Sequence, residues 1–295
     1  MDVVHLKIAD LGVSLTPTVS HIHFSVPPCY KKFRFPARER LIMPAEASFN
    51  YPNLMLKTDQ IDSFEEKPPG VLVYGSETWQ LWQDKLGCFT FVSMNQKPPY
   101  RVGVNPDFSQ GKIFGDFSNS AKHDPYPLKY IDMRIYSAWL GSLGDLILHA
   151  SGFMLDGKGY CFIGHSGVGK STIIRKLAEA HKNIIILGED QVILRHIDNH
   201  FWIFGTPWHL DCEMCDPGGA PVEKVFFLSR EGAPRLTDFK PVEGVTRILE
   251  TAVIPYYNTN WVSLILKNLS LLAQKVPFYV LNYQLASNPW SLIVQ

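Results

Sequence analysis

The sequence predicts a mixed α/β fold for residues 121–295, preceded by a β-rich domain over residues 1–120. Three observations lead to this division. A glycine-rich run at 164–171 lies between an apolar segment and an amphipathic one, in the order strand, loop, helix. Apolar residues recur at helical spacing from Leu128 to Leu143. The segments before residue 120 are instead short, rich in β-branched and aromatic residues, and interrupted by proline.

The composition indicates a globular protein without a general affinity for nucleic acid or membranes. Of the 295 residues 46% are hydrophobic, and 28 basic residues balance 28 acidic ones to a formal net charge of zero. No apolar run reaches the roughly 20 residues that a membrane-spanning helix needs, and the first residues lack a secretory signal pattern. Together with five cysteines, an odd number, these features predict a cytoplasmic protein. Cys212 and Cys215 form a lone C-x-x-C pair, which we interpret as reduced thiols because a zinc ribbon needs a second pair.

In the first domain we predict strands at 21–26, 71–74 and 89–92, kept short by the surrounding prolines. A basic run follows the first of them and is interpreted as a solvated loop or strand rim; it comprises Lys31, Lys32, Arg34, Arg38 and Arg40. The polar segment 118–125 is the predicted linker to the second domain.

The second domain is predicted to alternate helices and strands. Its first helix ends at Gly144, and Asp156-Gly157 is a hairpin turn signal between two apolar segments. The predicted helices are 128–143, 170–181, 242–252 and 261–272, and the predicted strands are 146–155, 160–163, 183–187, 192–194, 201–204, 225–228 and 278–281.

The glycine-rich run fits the phosphate-binding pattern G-x-x-x-x-G-K-[ST]. It comprises Gly164, His165, Ser166, Gly167, Val168, Gly169, Lys170 and Ser171. In this pattern backbone N–H groups cradle phosphate oxygens, the lysine reaches the β and γ phosphates, and the hydroxyl ligates Mg²⁺. The helix that starts here adds the partial positive charge of its N-terminus, so we extend the binding segment to Thr172. The predicted cofactors are therefore ATP, or another nucleoside triphosphate, and Mg²⁺.

A phosphate loop needs a carboxylate partner, and Glu189 and Asp190 are the best candidates. They end the apolar strand that follows the loop helix, and βαβ geometry brings that strand end beside the loop. Neighbouring side chains of an extended chain point to opposite sides, so one acid can hold Mg²⁺ while the other accepts a proton. The pattern leaves open which acid has which role, and a solvated strand end is the alternative.

Two histidines and one loop complete the candidates. His149 interrupts an apolar run before the loop strand, either as a hydrogen-bonded core residue or as a group near the phosphates. His165 lies within the loop, facing solvent or the acceptor. The segment 207–211 either shapes an acceptor pocket or packs as a loop around Trp208.

The order of these motifs resembles the kinase domain of HPr kinase/phosphorylase, which shares its fold with phosphoenolpyruvate carboxykinase. The resemblance covers about residues 128–290, and the segments 205–208 and 222–228 are similar to members encoded with peptide-modification systems. It implies a P-loop kinase core in which Lys170 binds phosphate and Asp190 is the general base, assisted by His149. It also implies that Ser171 and Glu189 serve the metal. The acidic pair is Glu-Asp here, where the family usually has Asp-Asp.

These residues predict an ATP- and Mg²⁺-dependent kinase, acting on a serine of a peptide or small protein or on a related small molecule. One alternative is a nucleotide-binding component of a biosynthetic complex that hydrolyses ATP slowly or not at all. Another is a phosphorylase or phosphatase, disfavoured because we find no glycine-rich segment with a metal-binding glutamate. Residues 1–120 either recognise the acceptor, for example by adding it as a strand to a sheet edge, or cover apolar surface. Assembly into a homo-oligomer is left open.

Overall fold

The computed structural model describes residues 3–18, 24–34, 53–60, 67–94, 100–115, 117, 126–128, 131–209, 212–284 and 289–293. The chain forms two compact units, of which the first ends at Trp139 and the second continues from Leu140. This division falls inside a helix, later in the chain than the boundary predicted near residue 120. The predicted linker at 118–125 lies outside the described residues.

The first unit contains an eight-stranded sheet. The sheet runs in the order β1-β2-β3-β8-β7-β6-β5-β4, with β2, β3 and β8 parallel to one another and antiparallel pairs elsewhere. Its strands are β1 (Val4–Ile8), β2 (Leu11–Thr16), β3 (Leu54–Gln60), β4 (Val71–Gly75), β5 (Trp79–Gln83), β6 (Phe89–Ser93), β7 (Arg101–Val104) and β8 (Gln110–Gly115). Two helices accompany it, α1 (Pro28–Lys31) and α2 (Asp132–Leu143).

Two of the three strands predicted in this unit are confirmed, as β4 and β6. The third is wrong over its described part, because residues 24–26 are irregular and lead into the short helix α1. The two prolines at 27 and 28 explain the difference, since proline lacks the N–H that a strand needs and favours the first turn of a helix. Arg38 and Arg40 of the basic run, and residues 21–23, lie outside the described residues.

The cysteines agree only in part with a reducing compartment. Cys215 of the C-x-x-C pair is a reduced thiol, as are Cys88 and Cys161, whereas Cys29 is disulfide-bonded. Cysteine spacing carries no information on which side chains approach one another in the fold. In the part of the chain described, no helix has the length and apolar character to cross a bilayer.

The second unit is built on a ten-stranded mixed sheet, which confirms the mixed α/β class. The main order is β12-β10-β11-β15-β14-β13-β9-β17, and β18 joins it beside β15 with β16 at its outer side. The strands are β9 (Leu146–Leu148), β10 (Ala150–Leu155), β11 (Lys158–Ile163), β12 (Ile185–Gly188), β13 (Val192–Ile197), β14 (His200–Phe204), β15 (Gly219–Ser229), β16 (Arg235–Asp238), β17 (Ala252–Val253) and β18 (Phe278–Asn282). The helices are α3 (Lys170–Ala180), α4 (Pro241–Thr251), α5 (Thr259–Lys275) and α6 (Trp290–Ile293).

The pairing of four strands positions the phosphate loop. The tight turn at Asp156 and Gly157, both with positive φ, joins β10 to β11 as the hairpin signal predicts. Because β10 is antiparallel to both β11 and β12, the last two run in the same direction. Strands β15 and β18 are also parallel to β11. The carboxyl ends of β11, β12, β15 and β18 therefore lie at one edge of the sheet.

The segment predicted as one strand over 146–155 is two strands in the structure. β9 pairs with β13 and β17, whereas β10 pairs with β11 and β12, and His149 lies at the break between them. The His149 N–H donates to the carbonyl of Thr251, the last residue of α4, at 2.9 Å. A single polar residue within an apolar run does not show that a strand changes its neighbours there, so the sequence did not predict this break.

A buried ion pair stabilises the interior of this unit. Arg195 is almost fully buried and its Nε donates to Asp145 Oδ2 at 2.8 Å, while Asp145 Oδ1 accepts the His196 N–H at 2.9 Å. Burial raises the pKa of Asp145 to about 6, and the guanidinium of Arg195 opposes that rise. The carboxylate is thus buried and charged at neutral pH only because this partner is present.

We expect Arg195→Met to lower the free energy of unfolding by about 3–5 kcal/mol at pH 7.5, because it leaves a buried carboxylate without its cation. Urea unfolding measures the loss, with Arg235→Met on the exposed β16 as the control. The deficit should shrink towards pH 5, since the carboxyl then takes up a proton and needs no cation. A deficit below about 1 kcal/mol, the usual range of an exposed ion pair, contradicts the prediction.

Candidate active site

The glycine-rich loop at 164–169 joins β11 to α3, as the motif requires. Gly167 and Gly169 have φ of +80° and +105°, which side-chain-bearing residues rarely adopt. His165, Ser166 and Gly167 are exposed, whereas Val168 is buried in the apolar cluster under α3. The loop therefore has an anchored end and an exposed tip, and its left-handed residues produce the backbone form that binds anions.

Lys170, the first residue of α3, is folded back onto the loop. Its Nζ donates to the carbonyl of Gly164 at 2.8 Å and to that of His165 at 3.4 Å, and the side chain is buried. Burial lowers the pKa of Lys170, while the negative charge of Asp190 opposes that shift. Burial raises the pKa of the Cys161 thiol to about 12, and the positive charge of Lys170 opposes that rise.

The two acids after β12 have different partners, in line with the opposite directions expected of neighbouring side chains. The Glu189 carboxylate is largely buried, and its Oε2 accepts a hydrogen bond of 3.0 Å from Nη2 of Arg175 on α3. Its backbone carbonyl accepts the hydroxyl of Ser151. Asp190 is 51% exposed, and its Oδ1 lies 3.1 Å from Nε2 of His149.

The structure places His149 beside Asp190 and His165 at the exposed tip. The His149 side chain is 44% exposed, so it is not the core histidine that the apolar run allowed. The His165 ring hydrogen-bonds the carbonyl of Ser166 through Nδ1 at 2.8 Å. Of the remaining loop residues, Ser171 is half-buried and Thr172 is exposed in the first turn of α3.

The segment 207–211, one possible acceptor pocket, contributes His209 to a polar cluster with Thr206 and Gln191. The buried Thr206 hydroxyl donates to the carbonyl of Gln191 at 2.9 Å and lies 3.2 Å from Nε2 of His209. His209 in turn packs so closely on Gly188 that a Cβ there would come within 2.8 Å of Nε2. The segment thus supports the turn that carries Glu189 and Asp190. Residues 210 and 211 lie outside the described residues.

The donor atoms beside the loop suit Mg²⁺. The Ser171 hydroxyl and the carboxylates of Glu189 and Asp190 are oxygen donors, and Mg²⁺ bound with nucleotides takes one or two carboxylates and completes its shell with phosphates and water. Within the described ranges, no group of three or more His, Cys, Asp or Glu side chains is placed to hold a metal by itself. Asp190 is the more accessible carboxylate, whereas Glu189 is largely buried and its Oε2 is paired with Arg175.

Sequence reasoning missed four polar side chains at this site: Arg175, Ser151, Arg230 and Tyr283. Arg175 had a signal, because it lies one helical turn after Ser171 and so on the same face of α3. The other three had none, since the neighbours of β10, β15 and β18 could not be predicted from the sequence.

The charge of Asp190 predicts a pH effect on nucleotide binding. We expect the affinity for ATP to fall at alkaline pH as Lys170 loses its proton, and Asp190→Asn to move that fall to lower pH. The reason is that the carboxylate opposes the lowering of the Lys170 pKa by burial. Calorimetric titrations between pH 7 and pH 10 measure the shift, with Asp198→Asn in the exposed turn after β13 as the control. If the pH at which the ATP affinity falls is unchanged or higher in Asp190→Asn, the coupling between Asp190 and Lys170 is contradicted.

Comparison with known proteins yields no family assignment. No family model matches the sequence, and no curated protein matches it significantly. Among solved structures, the chain is similar to the HPr(Ser) kinase/phosphatase from Coxiella burnetii, with 14% identity and a TM-score of 0.29. The match covers 50% of this chain and 85% of that one. A likeness at this level carries no functional argument, so the function has to be argued from the site itself.

Proposed function

We propose that this protein is an ATP- and Mg²⁺-dependent phosphotransferase that phosphorylates a hydroxyl group. One observation carries the proposal: Asp190 is half-exposed, pairs with His149 and acts electrostatically on Lys170 of the phosphate loop. A general base for phosphoryl transfer needs this position, beside the phosphates and open to an incoming acceptor.

The loop and Lys170 bind the phosphates in this proposal. The amine that now donates to the carbonyls of Gly164 and His165 turns to the β and γ phosphates when the nucleotide binds. Mg²⁺, when bound beside Ser171, supplies further positive charge to the triphosphate. Burial of Lys170 strengthens its attraction to the phosphoryl oxygens, because there is little water around it to screen the charge.

Asp190 accepts the proton of the acceptor hydroxyl as that oxygen attacks the γ-phosphorus, while the bond from this phosphorus to the β–γ bridging oxygen breaks and ADP leaves. His149 holds the Asp190 carboxylate through the 3.1 Å contact and so orients its second oxygen for the acceptor. Glu189 serves the metal if it exchanges Arg175 for it. The acceptor class we propose is a serine, in a peptide or small protein or as a related small molecule.

A purely nucleotide-binding component is the rival function, and it would have no use for an accessible base beside the loop. The deciding experiment incubates the protein with γ-labelled ATP and Mg²⁺ in the presence of serine-containing peptides, free serine and small hydroxyl compounds. We expect label to appear in one acceptor class, and to be lost with Asp190→Asn. Release of inorganic phosphate alone, or binding without turnover, overturns the proposal.

A further inference from the structure

The backbone carbonyl of Val168, inside the phosphate loop, is held by two side chains from elsewhere in the sheet. Arg230 donates to it through Nε at 2.8 Å, and the Tyr283 hydroxyl donates to it at the same distance. The guanidinium of Arg230 also opposes the rise that burial causes in the pKa of Tyr283. We call this carbonyl, together with the guanidinium and the phenol that donate to it, the loop clamp.

The sheet topology delivers both side chains to the loop. Arg230 directly follows β15 and Tyr283 directly follows β18, and both strands run parallel to β11, which precedes the loop. The Tyr283 N–H donates to the carbonyl of Ser229 at 3.1 Å, which ties the two strand ends together. The Tyr283 ring is buried in the same apolar cluster as Val168. The clamp is therefore built on the rigid part of the fold.

The clamp also accounts for the glycine at position 169. A Cβ on Gly169 would lie 2.1 Å from the Tyr283 hydroxyl oxygen and 2.7 Å from Nη2 of Arg230. With φ of +105° the position also requires glycine for its backbone. Gly167, in contrast, has no atom within 4 Å of the place where a Cβ would stand, so only its backbone conformation requires glycine.

We infer that Arg230 and Tyr283 are positioning residues that set the phosphate loop for nucleotide binding. A trans peptide is planar, so the N–H of Gly169 points away from the Val168 carbonyl and therefore away from the clamp. Fixing that carbonyl directs the amide donor to the opposite side of the loop, where the phosphates bind. The inference rests on the proposed function, because it assigns the clamp to the nucleotide site of that function.

The first test removes only the phenolic hydroxyl. We expect Tyr283→Phe to weaken ATP binding about three- to tenfold, the loss of one hydrogen bond, and to shift the amide NMR signals of Gly169 and Lys170 without ATP. The control is Tyr279→Phe on the same strand, which lies near Lys224 rather than the loop. Equal affinities and loop signals in these two variants overturn the inference.

The second test separates the charge of Arg230 from its geometry. We expect Arg230→Met to weaken ATP binding about tenfold or more and to reduce its salt dependence, whereas Arg230→Lys restores part of the affinity. The double variant of Arg230→Met and Tyr283→Phe should lose less than the two losses multiplied, because both act on one carbonyl. If the losses of ATP affinity in the two single variants multiply in the double variant, the clamp is contradicted. It is also contradicted if Arg230→Met binds ATP as tightly as Arg235→Met does.

The NMR readout separates this inference from the proposed function. If the wild-type protein transfers no label, yet ATP binding weakens and the Gly169 and Lys170 amide signals shift only in the clamp variants, the function fails and the clamp stands. If the wild-type protein transfers label and the clamp variants behave like their controls, the clamp fails and the function stands.

Discussion

Lys170→Ala is expected to reduce phosphoryl transfer by at least about a thousandfold, because it removes a buried positive charge from the site of the transferring group. The loss should lie mainly in nucleotide binding and in the chemical step, measured as KM and kcat with labelled ATP. Lys176→Ala is the matched control, since it removes an exposed lysine from the same helix.

The fold should survive this change at a small cost. The carbonyls of Gly164 and His165 lose their Lys170 donor, which we expect to lower the free energy of unfolding by about 1 kcal/mol. A folded Lys170→Ala protein with normal turnover would show that this loop is not the phosphate site.

Asp190→Asn is expected to retain ATP binding and to lose about 10²–10⁴-fold in kcat, the usual contribution of a general acid or base. The amide keeps the shape of the side chain and its contact with His149 but does not accept the proton of the acceptor. Steady-state rates at saturating ATP and Mg²⁺ give the loss, and binding is measured separately by calorimetry.

Glu189→Gln is the matched comparison, because the neighbouring acid has a different partner. We expect it to raise the Mg²⁺ concentration needed for half-maximal rate, with a smaller loss once Mg²⁺ is saturating. If both variants lose activity equally and both recover fully with Mg²⁺, neither acid is a base and the assignment of Asp190 is wrong.

Much of the second unit could be predicted from local patterns. The loop, its helix and the tight turn at Asp156-Gly157 depend on residues adjacent in the chain, so glycines and apolar spacing predict them. The acidic turn was placed correctly at the end of β12, although β10 lies between β12 and the loop strand β11. The direction of the chain in a strand–helix–strand unit is enough to bring that end to the loop edge.

What the sequence did not predict depends on contacts between distant segments. Arg230 and Tyr283 reach the loop only because β15 and β18 are parallel to β11, and no local signal indicates the order of strands in a sheet. The break at His149 has the same origin, since a strand changes its neighbour there. In the first unit, β1, β2, β3, β5, β7 and β8 were not predicted, although β1–β3 are at least as long as the predicted strands β4 and β6.

The pairing of β11 with β15 has a consequence for how the protein reaches its native state. These two strands are parallel and far apart in sequence, so a long segment must be closed into a loop before they meet. The hairpins β10–β11 and β13–β14 are joined by tight turns and can form early. The arginine and tyrosine that hold Val168 arrive only with the late pairing of β15 and β18. We therefore expect the loop at 164–169 to reach its final conformation late in folding, after the strands that carry Arg230 and Tyr283 have paired.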